Sequence, residues 1–395
     1  MINEMIKELC PCGSGWQYSS CCGVAGRTAV NADVFATISS DGVVTGKQLT
    51  SELEEAIESL ADDPDLYLAR VNLFNNKAWL VKMSLRWYRE SVFLDPGRMK
   101  GTAVVESELP WLAQISDTIE WQSTAFIFHT AFCGSTLMSQ ALEKVYNCLS
   151  LREPETLGSL LIHNRSQATP EDKTAWFERI LALLSRRYTP EQAVVIKVND
   201  YVNPLMHDLL EWDHDLPILF MYIPFAEFLT GCLKADNRRL WIVQRYQSVI
   251  TDATRLLKIP DEMTINEDAY GEMAAIYWSY NIALFLQAQD IGTGQVKSLD
   301  FNDMLADPLR AIKASGKLFN LSALDDMNIE TTVRELLGVY SKNSQFKYSP
   351  QQRRNDINKL IGDNQEQHEA GEALARQLLG NHYPENRLPG ALLND

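Results

Sequence analysis

Long apolar runs are missing from this chain. No stretch approaches 18 consecutive apolar residues, so no membrane span is expected. Basic residues are scarce: 36 Lys and Arg stand against 52 Asp and Glu, a net charge of −16. That balance argues against duplex DNA or a membrane surface as a partner. It leaves room for a phosphorylated small ligand, for which a few placed cations suffice. Cysteine is sparse and uneven, seven in 395 residues, which excludes a disulfide scaffold in a chain this long. Met1 to Leu9 carries Glu4 and Glu8 and has no apolar core, so no signal peptide is expected there, and the cytoplasm is the expected compartment. What is present is 46% hydrophobic residues, enough for one large domain and one or two small ones.

Four of the seven cysteines, Cys10, Cys12, Cys21 and Cys22, fall within thirteen residues. The turn-rich Gly13-Ser14-Gly15-Trp16-Gln17-Tyr18 between the pairs lets both close on one ion. Four thiolates at this spacing favour a closed tetrahedral Zn2+ site. About 25 residues hold almost no core of their own, so the metal would supply most of their folding energy. With no open ligand position, such a site is structural rather than catalytic. Cys10 to Gly23 resembles the SEC-C motif found at the end of the SecA translocation ATPase. The resemblance implies zinc binding and an adaptor role toward a protein partner.

The small, polar stretch from Val24 to Thr50 reads as a linker or short hairpin. Leu49 to Leu60 reads as a helix capped by Thr50 or Ser51, with Glu54 in its first turn and Asp62-Asp63-Pro64 after it. Leu66 to Phe93 is aromatic and amphipathic. One or two helices are expected there, with Leu73, Trp79, Leu80, Met83, Trp87 and Tyr88 as the buried stripe. The division expected is a knuckle over 1–25, a mainly helical accessory region over 26–112, an α/β domain over 113–380 with a helical later half, and a tail over 381–395.

The stretch around which the chain is organised is Ala125-Phe126-Ile127-Phe128-His129-Thr130-Ala131-Phe132-Cys133-Gly134-Ser135-Thr136-Leu137. Its apolar start reads as a buried strand and Gly134 as a turn. Leu137, Ala141, Leu142 and Val145 then recur at helical spacing. Strand, small-residue loop and helix is the arrangement that points backbone N–H groups at a phosphate. Ser135, however, stands where the lysine of a Walker loop would be, and an ordinary βα turn remains the alternative. Ala193 to Val198 and Ile218 to Tyr222 are further continuous apolar runs, as parallel strands covered on both faces require. Helical patterns lie at Lys173 to Tyr188, Glu227 to Lys234 and Asp268 to Gln289. A parallel α/β sheet with ligands at its carboxyl strand ends follows. Glu153 falls just past a short strand, and Lys197 with Asn199-Asp200 falls at the end of another. His129 sits at the mouth of the loop.

Residues 124–142, with Leu151-Arg152-Glu153-Pro154, resemble the nucleotide-binding start of the sulfotransferase superfamily. Gly134-Ser135-Thr136-Leu137 follows its Gly-Thr-Thr-Leu pattern, and Tyr340-Ser341-Lys342 with Ser344 to Pro350 looks like a late segment of bacterial members. The resemblance implies a three-layer core of the P-loop NTPase type and PAPS as the sulfuryl donor. Gly134, Ser135 and Thr136, flanked by Cys133 and Leu137, would cradle the 5′-phosphate. Lys197, Lys342 or Lys347 would supply charge. Glu153 would be the base at a hydroxyl or amine acceptor, small molecule or peptide, with His129 as second choice. Three departures accompany it: Phe132 or Cys133 replaces the loop cation, and Ile223 and Gly231 replace the Arg and Ser that hold the 3′-phosphate. Arg238 and Arg239 are further candidates to compensate. The alternatives are a non-catalytic adaptor with a degenerate nucleotide domain, a kinase or transferase using another nucleotide, and Cys133 as a covalent nucleophile with a lowered pKa.

Overall fold

A computed structural model describes residues 34–46, 49–94, 103–122, 124–164, 168–260, 263–324, 329–337 and 350–393. The cysteines of the expected knuckle, and Lys342 and Lys347, lie outside the described residues.

Residues 34–108 build a five-stranded mixed sheet. Its strands are β1 (Val34–Ile38), β2 (Val44–Thr45), β3 (Leu66–Asn72), β4 (Lys77–Lys82) and β5 (Val104–Glu108), in the order β2-β1-β5-β4-β3. This corrects the expectation of a mainly helical region. The helix Ser51–Glu58 does form, with the Thr50 side chain accepting from the Leu53 N–H, and so does a short helix at Leu85–Glu90, but Leu66–Lys82 is a hairpin. Trp79, Leu80 and Met83 are buried as expected. Helices Glu155–Asn164 and Pro170–Leu184 cover one face of β3, and β3 and β4 are buried on successive residues. A strand buried on both faces loses its alternation and imitates a helical stripe. The turn is marked by Asn72, whose side chain accepts from the N–H groups of Phe74 (3.2 Å) and Asn75 (3.0 Å), and by Asn76 at φ 56°.

The second sheet is entirely parallel: β6 (Thr124–His129), β7 (Cys148–Arg152), β8 (Ala193–Lys197), β9 (Ile218–Tyr222) and β10 (Val296–Asp300). Their order is β10-β9-β6-β8-β7. Strands β6, β7 and β9 are buried at every residue, so this sheet lies between layers of helices. One of them, Tyr270–Ile291, is buried nearly all round. It stacks Phe285 on Phe220 of β9 (ring centroids 4.7 Å apart), and Trp278 Nε1–H donates to the Ile223 carbonyl at 3.0 Å. The chain is therefore a mixed α/β protein with a parallel sheet at its centre. Among the described residues no helix is long and apolar enough to cross a membrane.

Candidate functional site

Strand β6 has β8 on one side and β9 on the other. From β6 the chain first fills the β8–β7 flank and then crosses to β9 and β10. The carboxyl end of β6 is thus the point where the winding reverses, the place where open parallel sheets leave a crevice. The loop Thr130–Gly134 occupies it. Ala131 (φ 68°), Phe132 (φ 54°) and Gly134 (φ 74°) all have left-handed backbones, which costs a non-glycine residue roughly 1–2 kcal/mol.

His129 holds this shape. Its Nε2–H donates to the Val198 carbonyl at 3.0 Å, and its Nδ1 accepts the Ala131 N–H at 2.9 Å. Val198 O can only accept, so the hydrogen-bond network assigns the proton to Nε2. The Thr130 N–H and the Cys133 thiol both donate to the Met221 carbonyl, at 3.1 and 3.2 Å. Gly134 then begins the helix Ser135–Val145, which no side chain caps. The first N–H groups of a helix find no partner within it, and here they face the crevice end of β6. Gly134 is required twice over: its φ is positive, and a Cβ there would collide with the ring of Phe301, just after β10.

Glu153 and Lys197 meet. Strands β7 and β8 pair Arg152 with Lys197, the Glu153 N–H donates to the Lys197 carbonyl at 2.6 Å, and Glu153 turns back at φ 58°. Its carboxylate receives the Lys197 ammonium and, at 3.3 Å, the Asn199 amide. The Lys197 side chain is only 2% exposed and Glu153 16%, and the ammonium also lies 5.6 Å from the Phe93 ring centroid. Cation and carboxylate, nominated separately from the sequence, form one buried pair.

Below the loop lies a second pair. Arg245, from the helix Asp236–Leu257, donates through Nε (2.8 Å) and Nη2 (3.2 Å) to Asp200, which also accepts the Tyr277 hydroxyl at 2.5 Å. Burial alone would push the Asp200 carboxyl up. Arg245, His129 and the Tyr277 hydrogen bond together outweigh it and hold the carboxyl below its ordinary 3.8. Asp200 was visible in the sequence as a strand-end residue. Its partner, 45 residues further on, was not.

Ser135 and Thr136 are buried, and Leu137 is half-buried. Cys133 corrects an expectation: burial pushes its thiol up to about 11, the reverse of what a nucleophile needs. Phe132 does something the sequence did not announce. It packs on Trp241 and Phe228, with ring centroids 5.0 and 5.9 Å away, and leaves no room for a side chain at Gly231, where a Cβ would lie 2.8 Å from the ring. Two of the three departures from the sulfotransferase pattern are therefore one contact. A cavity of about 320 Å³ lined by Leu73, Pro110, His163 and Trp176 lies between the first sheet and the helices covering it. It shares no residue with the loop, and the convergence of strand ends and orphan N–H groups makes the loop the stronger candidate.

No family model and no curated protein matches this chain. Among solved structures, the chain is similar to the crystal structure of a sulfotransferase from Alicyclobacillus acidocaldarius, at 13% identity over 65% of this chain and 96% of that one, with a TM-score of 0.29. At that TM-score the superposition is too loose to assign a fold or an activity.

Proposed function

We propose that the loop Cys133–Leu137 holds the 5′-phosphate of a nucleotide and that the protein is a sulfotransferase-like enzyme using PAPS. The observation that carries this reading is the left-handed run at Ala131, Phe132 and Gly134, which turns the chain from the central strand into an uncapped helix N-terminus at the sheet's crevice. Backbone in sparsely populated regions persists where the surroundings over-determine it, and such places cluster at ligand sites. Oriented N–H groups in this arrangement make a concavity for anions. The motif resemblance supplies the choice of PAPS. In the reaction an acceptor O–H or N–H attacks sulfur, the bond from sulfur to the phosphate oxygen breaks, and PAP leaves. The N–H groups of Gly134 to Leu137 would stabilise the departing phosphate. Once the pair separates, Lys197 would provide the adjacent positive charge, with Lys342 and Lys347 as further cations, and Glu153 would take the acceptor proton.

One observation favours a second reading, a nucleotide-binding adaptor without transfer activity. Glu153 is engaged by Lys197 and Asn199, and both ring nitrogens of His129 are engaged by the backbone. Glu153 acts as a base only when it parts from Lys197. His129 serves in this reading as the residue that shapes the loop. The Zn2+ expected at Cys10, Cys12, Cys21 and Cys22 belongs to the same proposal as a structural ion, since an all-thiolate donor set suits a closed site.

Calorimetric titration with PAPS, PAP and ATP tests both readings. Selective binding of PAPS and PAP, followed by release of PAP in the presence of phenolic, alcohol or amine acceptors, is expected of the enzyme. Binding without turnover assigns the adaptor. A protein that binds none of the three has no nucleotide site in this loop.

A further inference from the structure

An anion held by backbone N–H groups needs a compensating cation close by, and the loop itself contains none. The cations around it are nearly all committed. Lys197 is paired with Glu153, and Arg245 with Asp200. Arg152 is fully buried against Glu143 and the carbonyls of Tyr88, Arg89 and Ser91. Arg239 takes the nearby carboxylate of Asp236 at 3.3 Å. Arg238 is different. Its guanidinium carbon lies 4.9 Å from the centroid of the Phe132 ring, and Nη1–H donates to the Gly231 carbonyl at 3.1 Å. Among the described residues no carboxylate pairs with it, and the side chain is half-exposed. One of five donors is used.

We infer that Arg238 is the cation of the anion loop and that Phe132 is the residue that positions it; this rests on the loop reading above. Phe132 reaches from the loop into the junction between helices Phe225–Leu233 and Asp236–Leu257. Gly231 is bare so that the ring can lie there, and the ring face and the Gly231 carbonyl together fix the guanidinium. In this arrangement the charge for the ligand comes from a helix after β9 and is delivered to the loop by stacking, in place of a lysine within the loop.

The test is calorimetry of PAP binding to the full chain, with Arg238→Ala, Arg238→Lys, Phe132→Leu and the double variant Phe132→Leu/Arg238→Ala, beside thermal melts. Arg238→Ala is expected to weaken PAP binding about tenfold or more, and Arg238→Lys to restore part of it. Phe132→Leu keeps apolar volume but removes the ring face, so it should weaken binding similarly. The double variant should lose little beyond Arg238→Ala. The advantage of wild type over Arg238→Ala should shrink as salt rises. Arg239→Ala should bind as wild type does. If Ser135→Ala weakens binding but Arg238→Ala does not, the inference falls and the loop reading stands. Additive losses in the double variant overturn the positioning role of Phe132. Wild type that binds no PAP ends both.

Discussion

Ser135 and Gly134 separate ligand binding from folding at the scale of single residues. Ser135→Ala removes a buried hydroxyl at the start of the helix. If that hydroxyl faces a phosphate, affinity for PAP drops by roughly 1–3 kcal/mol while the melting temperature stays put. Gly134→Ala should instead lower the melting temperature, because the added carbon meets both an unfavourable φ and the Phe301 ring; paired melts and titrations distinguish the two. Asp200 makes a pH-dependent case. Its folded value is depressed, so its contribution is fully present above the unfolded value, near 3.8–3.9, and fades as pH falls through the folded value. Asp200→Asn should cost about 3–5 kcal/mol at neutral pH by leaving Arg245 buried without its counter-charge. It should also flatten the stability curve on the acid side, as read by denaturant melts from pH 2 to 7. The strand-end positions of Glu153 and Lys197 and the turn after β6 were legible one by one, because strand ends and small-residue turns leave marks in the sequence. Their pairing was not legible, because the register that sets Arg152 beside Lys197 links strands more than 40 residues apart.

At the scale of elements, the strands that could be read were those with the simplest surroundings. Ile218–Tyr222 and Ala193–Lys197 emerge close to where their unbroken apolar runs place them. The parallel sheet follows, since short apolar runs buried on both faces are characteristic of such a sheet. The same rule, applied to a hairpin with flanking aromatics, failed at Leu66–Lys82. There the punctuation was Asn72 and Asn76 rather than Gly or Pro, and the covering helices lie 70 or more residues later. Strand β10 went unread because Val296–Asp300 has just two large apolar residues in five. It occupies an edge, pairing with β9 on one side, while the Ser298 N–H donates to the Gly390 carbonyl at 3.0 Å. An edge strand completed by a distant segment carries little periodicity of its own.

For the molecule as a whole, one zinc per chain is expected, held by Cys10, Cys12, Cys21 and Cys22. Elemental analysis of protein purified without added metal checks this: Cys21→Ser should strip the metal while the main thermal transition stays where it was. A zinc content near zero in wild type removes the knuckle from the account. The body contains two arginines that behave differently from any surface cation. Arg152 of β7 donates to carbonyls of residues 88–91, and Arg186 donates to those of Leu60, Asp63 and Leu66. Both are almost wholly shielded from water. For these guanidinium groups the backbone around the mixed sheet does the work that water does elsewhere: it is their solvation shell. Removing the mixed sheet would take these carbonyls away and let water replace them, while Arg152 would keep its pair with Glu143. The parallel sheet, self-contained as its strand order looks, thus borrows from the mixed sheet the surroundings that keep two of its arginines dry.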